Sequence, residues 1–207
     1  GVLLSKYINQ LAKAGLNGIN ISLDTLNKVK FKKITRREEL ENVLEGLDLA
    51  ICSGIKSIKV NMVVMKGFNN DEITDFVELT KNNDITVRFI ELMPFDSHQI
   101  WKTGKFYRAD HIVNDLRSHY RTLSPVTGSS TEYYIFKIKE YAGRVAVIPS
   151  YTRSLCSACN RIRVTADGNL LNCLYSRSET NMRDAIRNGM KNEGLKNLIV
   201  GSMQKKL

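Results

Sequence analysis

Apolar and polar positions change period along this chain, and the changes mark its elements. Over residues 3–14 the apolar positions Leu4, Ile8, Leu11 and Ala14 keep helical spacing, and Gly15 ends the run. Over 19–23 the pattern alternates, with Ile19, Ile21 and Leu23 on one side and Asn20, Ser22 and Asp24 on the other, the period of a strand. The spacing next predicts a helix over 38–51 closed by Gly54, a strand over 57–65, a helix over 71–81 and a strand over 86–92. Strands alternating with helices imply parallel β/α units. After Pro94 the rhythm changes. A helix is expected over 111–120, then a hairpin pairing 132–139 with 144–149 around Ala142-Gly143. The last third is loop-rich and basic, with a short helix near 181–187. A boundary is therefore expected near 95–103, dividing residues 1–95 from 96–207. No repeat of solenoid period is present.

The polar sides of the three strands carry Asn20, Ser22 and Asp24, then Lys59 and Asn61, then Arg88. A parallel layer is covered on both faces, so these groups are expected to be buried and to bind one another or a ligand. Ser22 and Asp24 fall at the C-terminal end of their strand, where barrels collect ligands. An antiparallel sheet with one wet face is the alternative, and there the same residues are simply solvated. Met93 has the opposite parity to Arg88, which leaves its direction open. Six basic residues between Lys28 and Arg37 form the densest charge run, best read as a solvated face.

Composition narrows the class. A chain of 207 residues can bury a real core without disulfides. Hydrophobic content of 43% and charge of 25% exclude disorder and collagen-like repeats. No apolar run approaches the roughly 20 residues that span a bilayer. The opening Gly-Val-Leu-Leu has no charged region or cleavage site of a secretory signal. A first residue other than Met suggests a fragment or a processed form. The net charge of +10 calls for an anionic partner: phosphates, nucleic acid or a membrane surface.

Candidate chemistry concentrates in the cysteines. Of four (Cys52, Cys156, Cys159 and Cys173), three lie within 18 residues, which points to a metal or redox site in a reducing compartment. A C-x2-C turn aims two sulfurs at one metal. Asp167-Gly168 between two β-type runs signals a two-residue type I′ hairpin, pairing Ala166 with Asn169 and, by continuation, Cys173 with Ile162. Three thiolates are one short of a closed structural zinc site. The fourth ligand could be His98, His111, His119 or Cys52, although no histidine lies within 35 residues of the cluster and Cys52, at a helix end among apolar neighbours, suits a core role. The alternative is an iron–sulfur cluster with one iron left open for another molecule. The spacing fits both equally. A thioredoxin-type pair fits less well, because no strand feeds a helix there. Arg161 and Arg163 follow directly and project to one side of an extended chain, where two guanidinium forks can grip a polyphosphate.

At these residues the chain resembles a known family, the radical S-adenosylmethionine GTP 3′,8-cyclases of molybdenum cofactor (molybdopterin) biosynthesis. The matching pieces are INISLD at 19–24, KVNMVVMKG at 59–67, VRFIELMPF at 87–95 and CSACNRIRVTADGNLLNCL at 156–174, in family order. The resemblance implies an α/β fold. It would be an incomplete TIM-type barrel, the last three β/α units of a six-unit partial barrel, followed by an α+β iron–sulfur module. It implies that Cys156, Cys159 and Cys173 hold a second [4Fe–4S] cluster. Lys59, Arg88, Arg161, Ile162 and Arg163 would bind GTP, and Ser22 and Met93 would contact S-adenosylmethionine. The implied reaction converts GTP by radical chemistry to (8S)-3′,8-cyclo-7,8-dihydroguanosine 5′-triphosphate, a lyase activity feeding the cyclic pyranopterin monophosphate synthase step. A homodimer is compatible with it, and neither nucleic acid nor a membrane span is implied. The compartment is the mitochondrial matrix in a eukaryote or the cytoplasm in a bacterium. The family's C-x3-C-x2-C motif, which holds the first [4Fe–4S] cluster, is absent from these residues, so they are expected not to cleave S-adenosylmethionine alone; none of them is assigned a catalytic role. Two other readings compete: a zinc-stabilised nucleic-acid binder, and a radical maturase with an auxiliary cluster and a peptide substrate. Interleaved stacking aromatics are lacking for the first, and the Arg161/Arg163 pair disfavours the second.

Overall fold

A computed structural model describes residues 1–93, 104–126, 133–152, 161–173 and 179–204. Packing divides the chain into Gly1–Arg153 and Ser154–Leu207.

In the first unit, the helical period of the opening residues becomes α1 (Leu4–Lys13), with Leu4 and Ile8 buried. The alternation at 19–23 becomes β1 (Gly18–Ser22). The basic run winds into a helix that its charge had concealed, α2 (Lys28–Thr35). The Asn27 side chain caps it by accepting the N–H groups of Val29 and Lys30, and Phe31 enters the core. Its lysines face outward except Lys30, which bridges Asp71 and Glu72 at 2.8 and 2.9 Å. α3 (Leu40–Cys52), β2 (Ser57–Val64), α4 (Ile73–Glu78), β3 (Thr86–Glu91) and α5 (Ala109–His119) follow close to the expected positions. Cys52, expected in the core, is exposed at the end of α3, because that helix buries Val43, Leu47 and Ala50 instead.

β4 (Leu123–Pro125), β5 (Tyr134–Ile138) and β6 (Arg144–Ile148) complete one six-stranded sheet in the order β1-β2-β3-β6-β5-β4. β1, β2, β3 and β6 run parallel, and β5 and β4 are antiparallel additions. The expected division near 95–103 is thus not where packing separates the chain: β6 pairs with β3 along five residues and carries the hairpin into the first sheet. The hairpin turns through Glu140, whose φ is +69°, and not through Gly143. Gly143 serves close approach, since a Cβ there would lie 2.3 Å from the Ile85 carbonyl oxygen.

One continuous core joins helix residues such as Ile8, Leu47, Phe76 and Ile112 to Val60, Met62, Val87, Phe89 and Val145 of the strands. All these strand positions share one parity. The other parity faces away from that core: Asn20 and Ser22 are exposed, Lys59, Asn61 and Arg88 half-buried, and Ala146 fully buried. Among the described residues of this unit, the expected burial of both faces is complete on one face only. The strands are parallel, yet among the described residues the helices supply an apolar covering on one side alone.

The second unit contains β7 (Arg163–Val164), β8 (Asn169–Leu171), β9 (Thr180–Asn181), α6 (Met182–Arg187) and α7 (Asn192–Gln204). The three short strands form an antiparallel sheet in that order. Leu170 and Asn172 point inward, and the Asn172 amide donates to the Ser202 carbonyl at 2.9 Å.

Candidate anion-binding face and cysteine hairpin

Strand register arranges the open face of the first sheet into rows. Asn20, Lys59, Thr86 and Arg144 are laterally adjacent in one row, and Ser22, Asn61, Arg88 and Ala146 in the next. Arg88 is the centre. Its Nε donates to Asn61 Oδ1 at 2.7 Å and its Nη2 to Asn20 Oδ1 at 2.9 Å. Burial pushes its guanidinium below the ordinary value, opposed by the nearby Tyr133 phenol. Among the described residues neither Lys59 nor Arg88 forms an ion pair. Two cations on one face without carboxylate partners suit an anionic ligand. The structure thus brings Lys59 and Arg88 onto one face, with Ser22 at the C-terminal end of β1 on the same side.

The C-terminal strand ends are tied by groups that alternation alone did not single out. Asn69, fully buried, donates to the carbonyls of Asp24 at 2.7 Å and Val63 at 2.9 Å, while its Oδ1 accepts the Met65 N–H. Asp24 accepts the Val63 N–H at 2.9 Å, and burial pushes its carboxyl above the usual range. Glu91 is the largest omission. Fully buried at the end of β3, it accepts the N–H of Ala109 at the start of α5, the N–H groups of Tyr151 and Thr152, and the Thr152 hydroxyl. A signal existed: Glu91 shares the parity of Val87 and Phe89, so its carboxylate sits on the apolar side of the strand. Met93, two residues beyond β3, is half-buried.

The second unit holds the other candidates. β7 and β8 pair Arg163 with Leu171 and Val164 with Leu170. This register is one residue off the expected one. The turn has three residues, Ala166 to Gly168: the Gly168 N–H donates to the Thr165 carbonyl at 2.9 Å, and Gly168 has φ +86°. A type I′ turn needs positive φ at both centres, and of Asp167 and Gly168 the glycine alone has it. Asp167 instead accepts the Thr165 hydroxyl. The slip matters, because strand parity reverses with one residue. Continued beyond the paired residues, this register sets Cys173 opposite Arg161 and not Ile162. Ile162 is 42% exposed. Cys156, Cys159 and His98 lie outside the described residues. His111 and His119 sit on α5, where His119 Nδ1 engages the Asp115 carbonyl and His111 stacks edge-on with Tyr107.

These observations meet a match to known sequences. The description of a family named Molybdenum Cofactor Synthesis C fits residues 85–207, from β3 through the cysteine hairpin to α7. The chain belongs to the Molybdenum Cofactor Synthesis C family. Residues 1–80 match the Radical SAM superfamily, so the two matches meet before β3, inside the six-stranded sheet. Relatives of this family member include a GTP 3′,8-cyclase from Chlorobaculum tepidum, 44% identical across the whole chain and covered over 62% of its own length. The mitochondrial GTP 3′,8-cyclase of Arabidopsis thaliana is 39% identical, again across the whole chain, with 53% of its length covered. Human molybdenum cofactor biosynthesis protein 1 is 41% identical, with 32% covered. The chain therefore spans from about a third to 62% of the length of these relatives. Among the described residues no helix is long and apolar enough to cross a membrane.

Proposed function

We propose that this chain takes part in the GTP 3′,8-cyclase reaction and supplies the residues that hold GTP and a second [4Fe–4S] cluster. The observation that carries the reading is the donor-rich face around Arg88, cationic and, among the described residues, without carboxylate partners, in a chain whose relatives are named for a GTP reaction. On this reading Lys59 and Arg88 are GTP contacts of the first unit, and Arg161, Ile162 and Arg163 are GTP contacts of the second. Their guanidinium forks grip phosphate oxygens bidentately, and Lys59 adds a point charge. Ser22 and Met93, both near C-terminal strand ends, contact S-adenosylmethionine. The parallel strands β1, β2 and β3 belong to a partial barrel, its last three β/α units lying in residues 1–95, and residues 96–207, which also add β6 to that sheet, form the cluster and GTP module.

The donor set suits the cluster. A thiol at Cys173, joined by Cys156 and Cys159, makes an all-sulfur set of three, which leaves one iron open. When bound, such a cluster supplies a Lewis-acidic iron for a donor atom of the substrate. The chain's own part is orientation: it holds the triphosphate so that the ribose and base present one fixed geometry. The product, (8S)-3′,8-cyclo-7,8-dihydroguanosine 5′-triphosphate, passes to the step that forms cyclic pyranopterin monophosphate. The working assembly is a homodimer in the mitochondrial matrix of a eukaryote or the cytoplasm of a bacterium.

Anaerobic reconstitution with iron and sulfide, followed by metal analysis, tests the reading. About four irons per chain and a GTP-dependent change in the cluster spectrum support it; stoichiometric zinc without colour refutes it. The 207 residues hold no C-x3-C-x2-C, so the same preparation should release no 5′-deoxyadenosine from S-adenosylmethionine. Chromatographic detection of that product would show the expectation to be wrong.

A further inference from the structure

A guanidinium carries donors and no acceptor, so both asparagines that touch Arg88 must turn their amide oxygens toward it. Their NH2 groups then point away from the arginine. Neither Asn20 nor Asn61 makes another side-chain hydrogen bond among the described residues. The choice of amide is informative, because aspartate at either position would give a stronger, charge-assisted bond to the same nitrogen. It would also neutralise Arg88. A neutral amide fixes the fork and leaves the positive charge unspent.

We propose that Asn20 and Asn61 are positioning residues for the triphosphate of GTP: they hold Arg88 in place without neutralising it and add two amide donors to the same face. The inference rests on the GTP reading above and deepens it. Asn61 is laterally adjacent to Arg88, and Asn20 is laterally adjacent to Lys59, so the amides link the two cationic rows. The shared chemistry is an acceptor-rich anion. A polyphosphate has it, and so does the carboxylate of S-adenosylmethionine.

The test compares the wild-type chain with Asn61→Asp, Asn20→Asp and Arg88→Gln, by thermal melting and by calorimetric titration with inorganic tripolyphosphate, GTP, guanosine and S-adenosylmethionine. The aspartate variants should melt at or above the wild-type temperature, because each gains an ion pair. They should nevertheless bind tripolyphosphate and GTP about tenfold more weakly or worse. Because an added carboxylate weakens anion binding by its charge alone, the neutral Asn61→Ala and Asn20→Ala are titrated beside them; a purely structural role for the amides predicts unchanged affinity in these two. Aspartate or alanine variants that bind like wild type, alongside a weakened Arg88→Gln, overturn this inference and leave the GTP reading standing. Absence of tripolyphosphate and GTP binding by wild type, or an Arg88→Gln indistinguishable from it, overturns both. A loss confined to S-adenosylmethionine overturns the assignment to triphosphate. Should Asn61→Asp fail to fold, Asn20→Asp on the exposed edge strand gives the same readout.

Discussion

Asp24 shows how a single half-buried carboxyl can be read through its titration. Burial raises its pKa, and the Val63 N–H that it accepts offsets this in part. An acid whose folded pKa exceeds its unfolded value binds more protons when folded. Stability contributed by Asp24 is therefore lost as pH rises from the ordinary carboxylate range through the raised value. Asp24→Asn keeps an oxygen for Val63 and removes the half-buried charge. It is expected to raise the melting temperature at pH 7 and to leave it nearly unchanged at about pH 3, below both values. Equal shifts at both pH values would rule out the charge as the cause. Glu91 belongs to the same scale but a different class, since four donors from two other segments converge on it. Its removal would leave buried N–H groups unpaired, the costly direction of a lost hydrogen bond.

Among the elements, the β7–β8 hairpin is the one whose details matter most. Gly168 sits at φ +86°, and a Cβ added there would lie 2.7 Å from the Arg183 Cβ. Gly168→Ala should therefore destabilise the second unit by at least ~1–2 kcal/mol through left-handed strain, measured by urea unfolding; a neutral substitution would mean that the turn is not built as described. The hairpin also shows where reading by period stops. Asp167-Gly168 was legible as a turn, but the turn's length was not, because a two- and a three-residue loop use the same dipeptide. Thr165 decides between them: its side-chain oxygen accepts the Asn169 N–H at 2.9 Å and closes the longer loop. That single residue sets the register of β7 against β8. α2 was hidden for a different reason. One buried residue, Phe31, in eight leaves too weak a period to stand out among lysines.

At the scale of the whole molecule, the charge of +10 has a partial account. Lys59, Arg88, Arg161 and Arg163 have a proposed ligand, and Lys30 is matched by Asp71 and Glu72. If the exposed face binds GTP through its phosphates, affinity must fall with salt, because partly solvated charges are screened over about 10 Å at 0.1 M. GTP affinity should drop between about 0.05 and about 0.5 M salt while that of guanosine stays level. A salt-independent affinity for GTP would argue for recognition through the base alone. The sheet itself crosses the seam between the two sequence matches, since β2 pairs with β3. Sequence similarity and packing therefore divide this chain at different places.

Helix and strand periods, the cysteine spacing and the four family motifs were all legible in the linear order of residues, because each depends on neighbours within a few positions. The side of each strand that carries polar groups was legible too, as the parity of Asn20, Lys59, Asn61 and Arg88. Lateral order decided the rest. Asn20 and Arg88 are 68 positions apart and meet because β2 lies between their strands at a register that no local pattern encodes. Likewise, among the described residues the polar face is only partly buried, because what covers a sheet depends on where its helices pack. A chain can announce its strands from its own alternation, but which groups become partners is decided when those strands are set side by side.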